Sequence, residues 1–220
     1  MTRFTDRREA GRALAQKLLQ YANRPDVVVL ALPRGGVPVA YEVATALNAS
    51  LDVLIVRKIG APWNEELAVG AIASGDTMVL DAALMRDLGI DRADVDRVIA
   101  AERLELRRRE QLYRDSRPFP VIKGKTVILV DDGLATGASM IAAVRAIRTQ
   151  QPAAVIVAVP VASPDTCTLV RRDAEDCVCA MTPLQFYAVG AWYVDFDQTP
   201  DEEVRDLLAQ AAQRSVHPAR

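Results

Sequence analysis

Short, continuous apolar runs recur along the chain at residues 27–31, 52–56, 126–130 and 155–159, and helical stretches separate them. A strand that is apolar on both sides must be covered on both sides. Such runs alternating with helices are the mark of a parallel sheet sandwiched between helix layers. The predicted fold is therefore α/β: a doubly wound, mostly parallel sheet forming one domain over residues 1–220.

The intervening pattern fills in the remaining elements. Asp6 with Glu9 reads as a capping box opening a helix over 6–22, with Ala10, Leu14, Leu18 and Tyr21 at helical spacing. Residues 59–64 read as a loop, and 68–73 and 77–80 as a strand pair joined by Ser74-Gly75-Asp76. A charged helix over 91–115, capped by Asp91, carries one apolar stripe of Val95, Val98, Ile99 and Leu106. Further helices are predicted over 139–149 and 165–172, and a strand over 176–180. Thr199-Pro200 with Glu202 opens a last helix.

The formal net charge of −2 argues against a bulk nucleic-acid binder, and acidic residues interleave the run Arg107-Arg108-Arg109. A small anionic ligand remains compatible, because backbone amides and one or two cations suffice for a phosphate. No apolar run approaches the roughly 18 residues of a membrane helix, and the first residues carry no apolar leader. A cytoplasmic protein without membrane contact is expected. Cys167, Cys177 and Cys179 give no disulfide framework. Alternation points the thiols of Cys177 and Cys179 to one strand face, and they read as buried structural residues. A metal site would need more ligands, and the one histidine, His217, lies in a polar tail.

The segment 127–139, Val-Ile-Leu-Val-Asp-Asp-Gly-Leu-Ala-Thr-Gly-Ala-Ser, carries the chemistry. A buried strand ends in two carboxylates, Asp131 and Asp132, and a loop of small residues leads into a helix. The backbone amides and two hydroxyls of Ala135, Thr136, Gly137, Ala138 and Ser139 suit a phosphate, aided by the positive end of the helix. The carboxylates would repel that phosphate and suit instead the vicinal hydroxyls of a sugar. Together they describe a phosphorylated ribose.

This segment resembles the 5-phosphoribosyl-1-pyrophosphate (PRPP) motif of type I phosphoribosyltransferases. The resemblance covers about residues 25–160. It implies that Asp131 and Asp132 hold the ribose 2′- and 3′-hydroxyls and that Ala135 to Ser139 hold the 5′-phosphate. Pro33-Arg34-Gly35-Gly36 resembles the family's pyrophosphate loop, to which Arg57 and Lys58 add charge. Residues 59–75 correspond to its mobile catalytic loop, and 82–117 looks like a helical insertion. Mg2+ is the implied cofactor, with Asp131 touching it directly or through water. The implied reaction belongs to nucleotide metabolism: transfer of phosphoribosyl from PRPP to a small nitrogenous acceptor, with release of pyrophosphate. A PRPP-binding regulator with little or no turnover is the alternative, and a homodimer is compatible with the family.

The acceptor is less legible. The 6-oxopurine enzymes carry an Asp where this chain has Ala135, which argues against hypoxanthine or guanine. The orotate pattern is absent, since no Lys follows Lys58 until Lys123. Residues 181–198 are the candidate hood, with Phe186 and Tyr187 as stacking residues for a heterocycle. Trp63 is a further candidate.

Overall fold

A computed structural model describes residues 3–115 and 117–216; His217 lies outside them. Five parallel strands, β1 (Val27–Ala31), β2 (Ser50–Val53), β6 (Thr126–Val130), β7 (Ala154–Val161) and β8 (Asp176–Met181), form a sheet in the order β2-β1-β6-β7-β8. Strand β1 shows why continuous apolar runs are needed. Val27, Val29 and Ala31 pack into one cluster with α2 (Gly36–Leu47) and α7 (Asp201–Val216), while Val28 and Leu30 pack into the other with α5 (Ala138–Arg148) and α6 (Pro164–Val170). Helices cover both faces, as a doubly wound sheet requires. No helix among the described residues is long and apolar enough to cross a membrane.

Strands β3 (Val56–Ala61), β4 (Asn64–Ala73) and β5 (Thr77–Leu80) form a second, antiparallel sheet. Two sequence expectations change here. The strand predicted over 52–56 ends at Val53, and Leu54 and Ile55, both buried, lead from one sheet to the other. The loop predicted over 59–64 is instead a β-hairpin. Its breakers are absorbed by register shifts on either side of Gly60. A Cβ at Gly60 would lie 2.6 Å from Glu65 backbone atoms, so the hairpin needs glycine there.

Helix α1 (Arg7–Gln16) is shorter than predicted and is followed by a single 3-10 turn at Leu19–Tyr21. Asp6 caps α1, accepting from the Glu9 amide at 2.7 Å, and Glu9 reaches back to the Thr5 amide rather than to that of Asp6. Residues 82–117 contain α3 (Ala82–Asp87) and α4 (Arg92–Arg114). Asp91 stands at the N-cap of α4 without a side-chain capping bond, and Val95, Ile99 and Leu106 are buried as their spacing requires. Arg114, 3% exposed, ties the end of α4 to β2 through Asp52 (2.8 Å) and the Val53 carbonyl, while Glu110 of α4 itself pairs with the same guanidinium at 3.0 Å.

Candidate active site

The strand order places the site. The strand order, not the strand direction, reverses between β1 and β6: β2 lies on one side of β1, while β6, β7 and β8 lie on the other. Loops leaving the carboxyl ends of two such strands diverge and leave a crevice. The loop after β1 is Leu32 to Gly35, and the loop after β6 is Asp131 to Gly137. The Leu32 amide donates to the Val130 carbonyl at 2.8 Å, stitching them together. They approach so closely that side chains are excluded. A Cβ on Gly35 would lie 2.0 Å from Asp132 Oδ2, and one on Gly36 2.7 Å from the Val130 carbonyl oxygen. The Pro33–Arg34 peptide bond is cis.

The β6–α5 loop is held from behind. The Leu134 amide donates to Val161 O (3.0 Å), and Thr166 Oγ1 of α6 donates to Ala135 O (3.0 Å). Gly137 adopts φ 75°, a left-handed conformation suited to glycine, and starts α5 with no side-chain cap. The first-turn amides of α5 thus lack the usual side-chain acceptor. Thr136 Oγ1 accepts only a long 3.4 Å bond from the Ala138 amide, and Ala135, Thr136, Ala138 and Ser139 are exposed.

Residues 3–191 match the family described as the phosphoribosyl transferase domain. The chain belongs to that family. It is 44% identical over 211 residues to two Mycobacterium tuberculosis proteins, from strains CDC 1551 and H37Rv, each named "Putative phosphoribosyl transferase". Each match covers 96% of this chain and 47% of the relative, so the chain spans about half the length of the curated relatives it matches. A crystal structure of TT1426 from Thermus thermophilus has 45% sequence identity and superposes with a TM-score of 0.86, covering 95% of this chain and 99% of that one.

Within this phosphoribosyl transferase domain the two acids differ. Asp131 Oδ1 accepts from the Asp132 amide at 2.8 Å. Burial raises the Asp131 carboxyl well above the usual carboxylate range, and the neighbouring Asp132 charge adds to the shift. Burial also raises Asp132, but the Arg7 guanidinium works against it. Arg7 Nε donates to Asp132 Oδ2 at 2.9 Å, stacks over the Phe196 ring at 4.1 Å and donates to Asp197 O at 2.6 Å. The Tyr193 hydroxyl donates to Asp132 O at 2.6 Å, and burial pushes that phenol up. Arg7 carried no sequence signal and Tyr193 was marked only as part of the candidate hood, because each meets Asp132 only through tertiary packing.

The predicted residues divide into two groups. Gly35, Gly36, Asp131 and Asp132 meet in the crevice, and Ala135 to Ser139 follow directly from it. Arg34 is half-buried with its guanidinium 3.8 Å from Asp201. Arg57 pairs with Glu102 of α4 at 2.5 Å. Lys58 lines a cavity of about 570 Å³ between the antiparallel sheet and α5, shared with Ala138 and Ile141. Phe186 packs partly buried near Trp192, whereas Tyr187 is 85% exposed. Their segment reaches the crevice at Val189, which would be 2.5 Å from a Cβ on Gly133. Trp63 is exposed in the turn of the β3–β4 hairpin.

Proposed function

We propose that the protein transfers the 5-phosphoribosyl group of PRPP to a nitrogenous base or similar small acceptor, with release of pyrophosphate. One observation carries the reading: adjacent carboxylates and a small-residue helix start without a side-chain cap share one loop at the switch point of a parallel sheet. Asp131 and Asp132 accept hydrogen bonds from the ribose 2′- and 3′-hydroxyls. The amides and hydroxyls of Ala135, Thr136, Gly137, Ala138 and Ser139 hold the 5′-phosphate. Arg34, Gly35 and Gly36 face the pyrophosphate, and Arg57 and Lys58 contribute positive charge. Phe186 and Tyr187 stack on the acceptor.

The acceptor nitrogen donates its lone pair to ribose C1 as the C1–O bond to pyrophosphate breaks, through a transition state of oxocarbenium character. The chain's work is to align the reactants and stabilise developing charge. Asp131 and Asp132 fit Mg2+: they are hard oxygen donors, and burial of Asp131 beside a second acid favours a cation. When bound, the ion offsets charge on the pyrophosphate. Asp131 would hold it directly or through water.

A second reading, PRPP binding with little turnover, draws on the pairing of Asp132 with Arg7, which occupies one diol acceptor. Pyrophosphate release from PRPP and Mg2+ across a panel of nitrogenous bases separates the two. Release dependent on one base supports transfer. PRPP binding with no release for any base supports the regulator, and absence of PRPP binding rejects both.

A further inference from the structure

Behind the phosphate loop, α6 and β8 bring the cysteines together. Alternation along β8 places Cys177 and Cys179 on one face, with their Sγ atoms 3.9 Å apart. Cys167 comes from α6 to the same point, with its Sγ 2.8 Å from that of Cys179, and all three sulfurs lie within 4.8 Å of one another. Cys167 and Cys177 are buried and Cys179 is partly exposed, which leaves one side open. Among the described residues this is the one group of at least three His, Cys, Asp or Glu ligand atoms so placed. The sequence alone offered two thiols on a strand; the fold supplies the third.

We propose that Cys167, Cys177 and Cys179 form a binding site for a thiophilic d10 cation, Zn2+ or Cu+. Zn–S bonds are about 2.3 Å long, which sets tetrahedral thiolates about 3.8 Å apart; Cys177 and Cys179 already stand at that spacing, and side-chain rotation must open the Cys167–Cys179 pair by about 1 Å. Sulfur-only donors select such ions over Mg2+. Three thiolates around Zn2+ carry a net charge of −1, and the Arg171 guanidinium stands beside them, donating to Cys177 O at 2.7 Å. Binding displaces the remaining thiol protons to solvent. A water entering beside Cys179 completes tetrahedral Zn2+; Cu+ needs no fourth ligand. The site bears on the crevice through α6. Thr166, adjacent to Cys167, holds Ala135 O, and Thr166 and Val170 abut Gly137. The site is independent of which acceptor the crevice serves.

The test uses the full chain, reduced and stripped by chelator, titrated without oxygen with Zn2+ or Cu+ against a chromophoric competitor, with Co2+ as an optical probe. The expected result is one cation per chain, a thiolate-to-Co2+ charge-transfer band, protection of the thiols from a disulfide reagent and a raised Tm. All four are lost in Cys167→Ser and in Cys179→Ser. Should those variants fail to fold, stoichiometry and band in the wild type decide. The proposal is overturned if reduced wild type takes up no cation, if uptake survives replacement of all three cysteines, or if mild peroxide yields a Cys167–Cys179 disulfide in a chain that binds neither ion.

Discussion

The crevice between β1 and β6 and the hairpin of β3 and β4 both carry residues that the sequence marked for PRPP, yet the fold treats them differently. In the crevice, consecutive residues act together because the chain has left its strand and wraps a point. Gly35, Gly36, Asp131 and Asp132 are in mutual contact there. On the hairpin, neighbours Arg57 and Lys58 lie within a strand, where successive side chains leave on opposite faces. One reaches Glu102 of α4, and the other lines the cavity beside α5. Adjacency in sequence means a shared site just beyond a strand end and separate sites along a strand.

The largest effect that separates the two regions is at Arg114. Its buried guanidinium holds α4 on β2, so Arg114→Ala leaves Asp52 unpaired and is expected to cost about 3–5 kcal/mol. Denaturant unfolding should show that loss, while PRPP affinity of the folded fraction stays unchanged. A joint loss would make α4 part of the site.

Gly36→Ala attacks the crevice itself. Alanine would favour the helix by about 1 kcal/mol, but its Cβ would press on the backbone at Val130 and Asp131. Net destabilisation of about 2 kcal/mol is expected, together with a loss of PRPP affinity measured by titration. Retained affinity would mean that the two loops need not touch for binding.

Between the hairpin cations, Lys58→Met should lower kcat/KM by about tenfold, ~1.4 kcal/mol, and more than Arg57→Met. Arg57→Met should mainly loosen the hairpin from α4, seen as faster amide exchange in β3. Equal kinetic losses would restore the pair as one clamp.

The smallest effect has the opposite sign. Asp131 has its pKa raised in the folded chain, so its proton is bound more tightly folded than unfolded. Its contribution is fully favourable below the ordinary carboxylate pKa and is lost as pH climbs toward the raised value. Asp131→Asn should therefore raise Tm slightly at neutral pH, in chelator, and flatten the fall in Tm just above the ordinary carboxylate range. An unchanged pH profile would show the carboxyl to be well solvated.

Much of the fold was written locally. Runs such as Val127–Val130 must be buried on both faces whatever their neighbours, and the turn after Asp132 has few alternatives. The β3–β4 hairpin was not legible because Gly60, Pro62 and Asn64 are breakers in isolation, and only the pairing of β3 with β4 takes Gly60 into a bulge, leaves Pro62 in the turn and starts β4 at Asn64. Arg7 was hidden for another reason: it meets Asp132 across 125 residues, and an arginine in a first helical turn otherwise looks like any solvated cation. The third thiol, Cys167, was likewise remote from the pair on β8 until α6 folded back.

Asp131 and Asp132 are proposed to hold the ribose of PRPP. Calorimetric titration of PRPP with Mg2+ into wild type and into Asp131→Asn/Asp132→Asn tests that role, with circular dichroism to verify the fold. Binding by the wild type and no measurable heat from the doubly substituted chain are expected. Wild-type affinity in that variant would contradict the role.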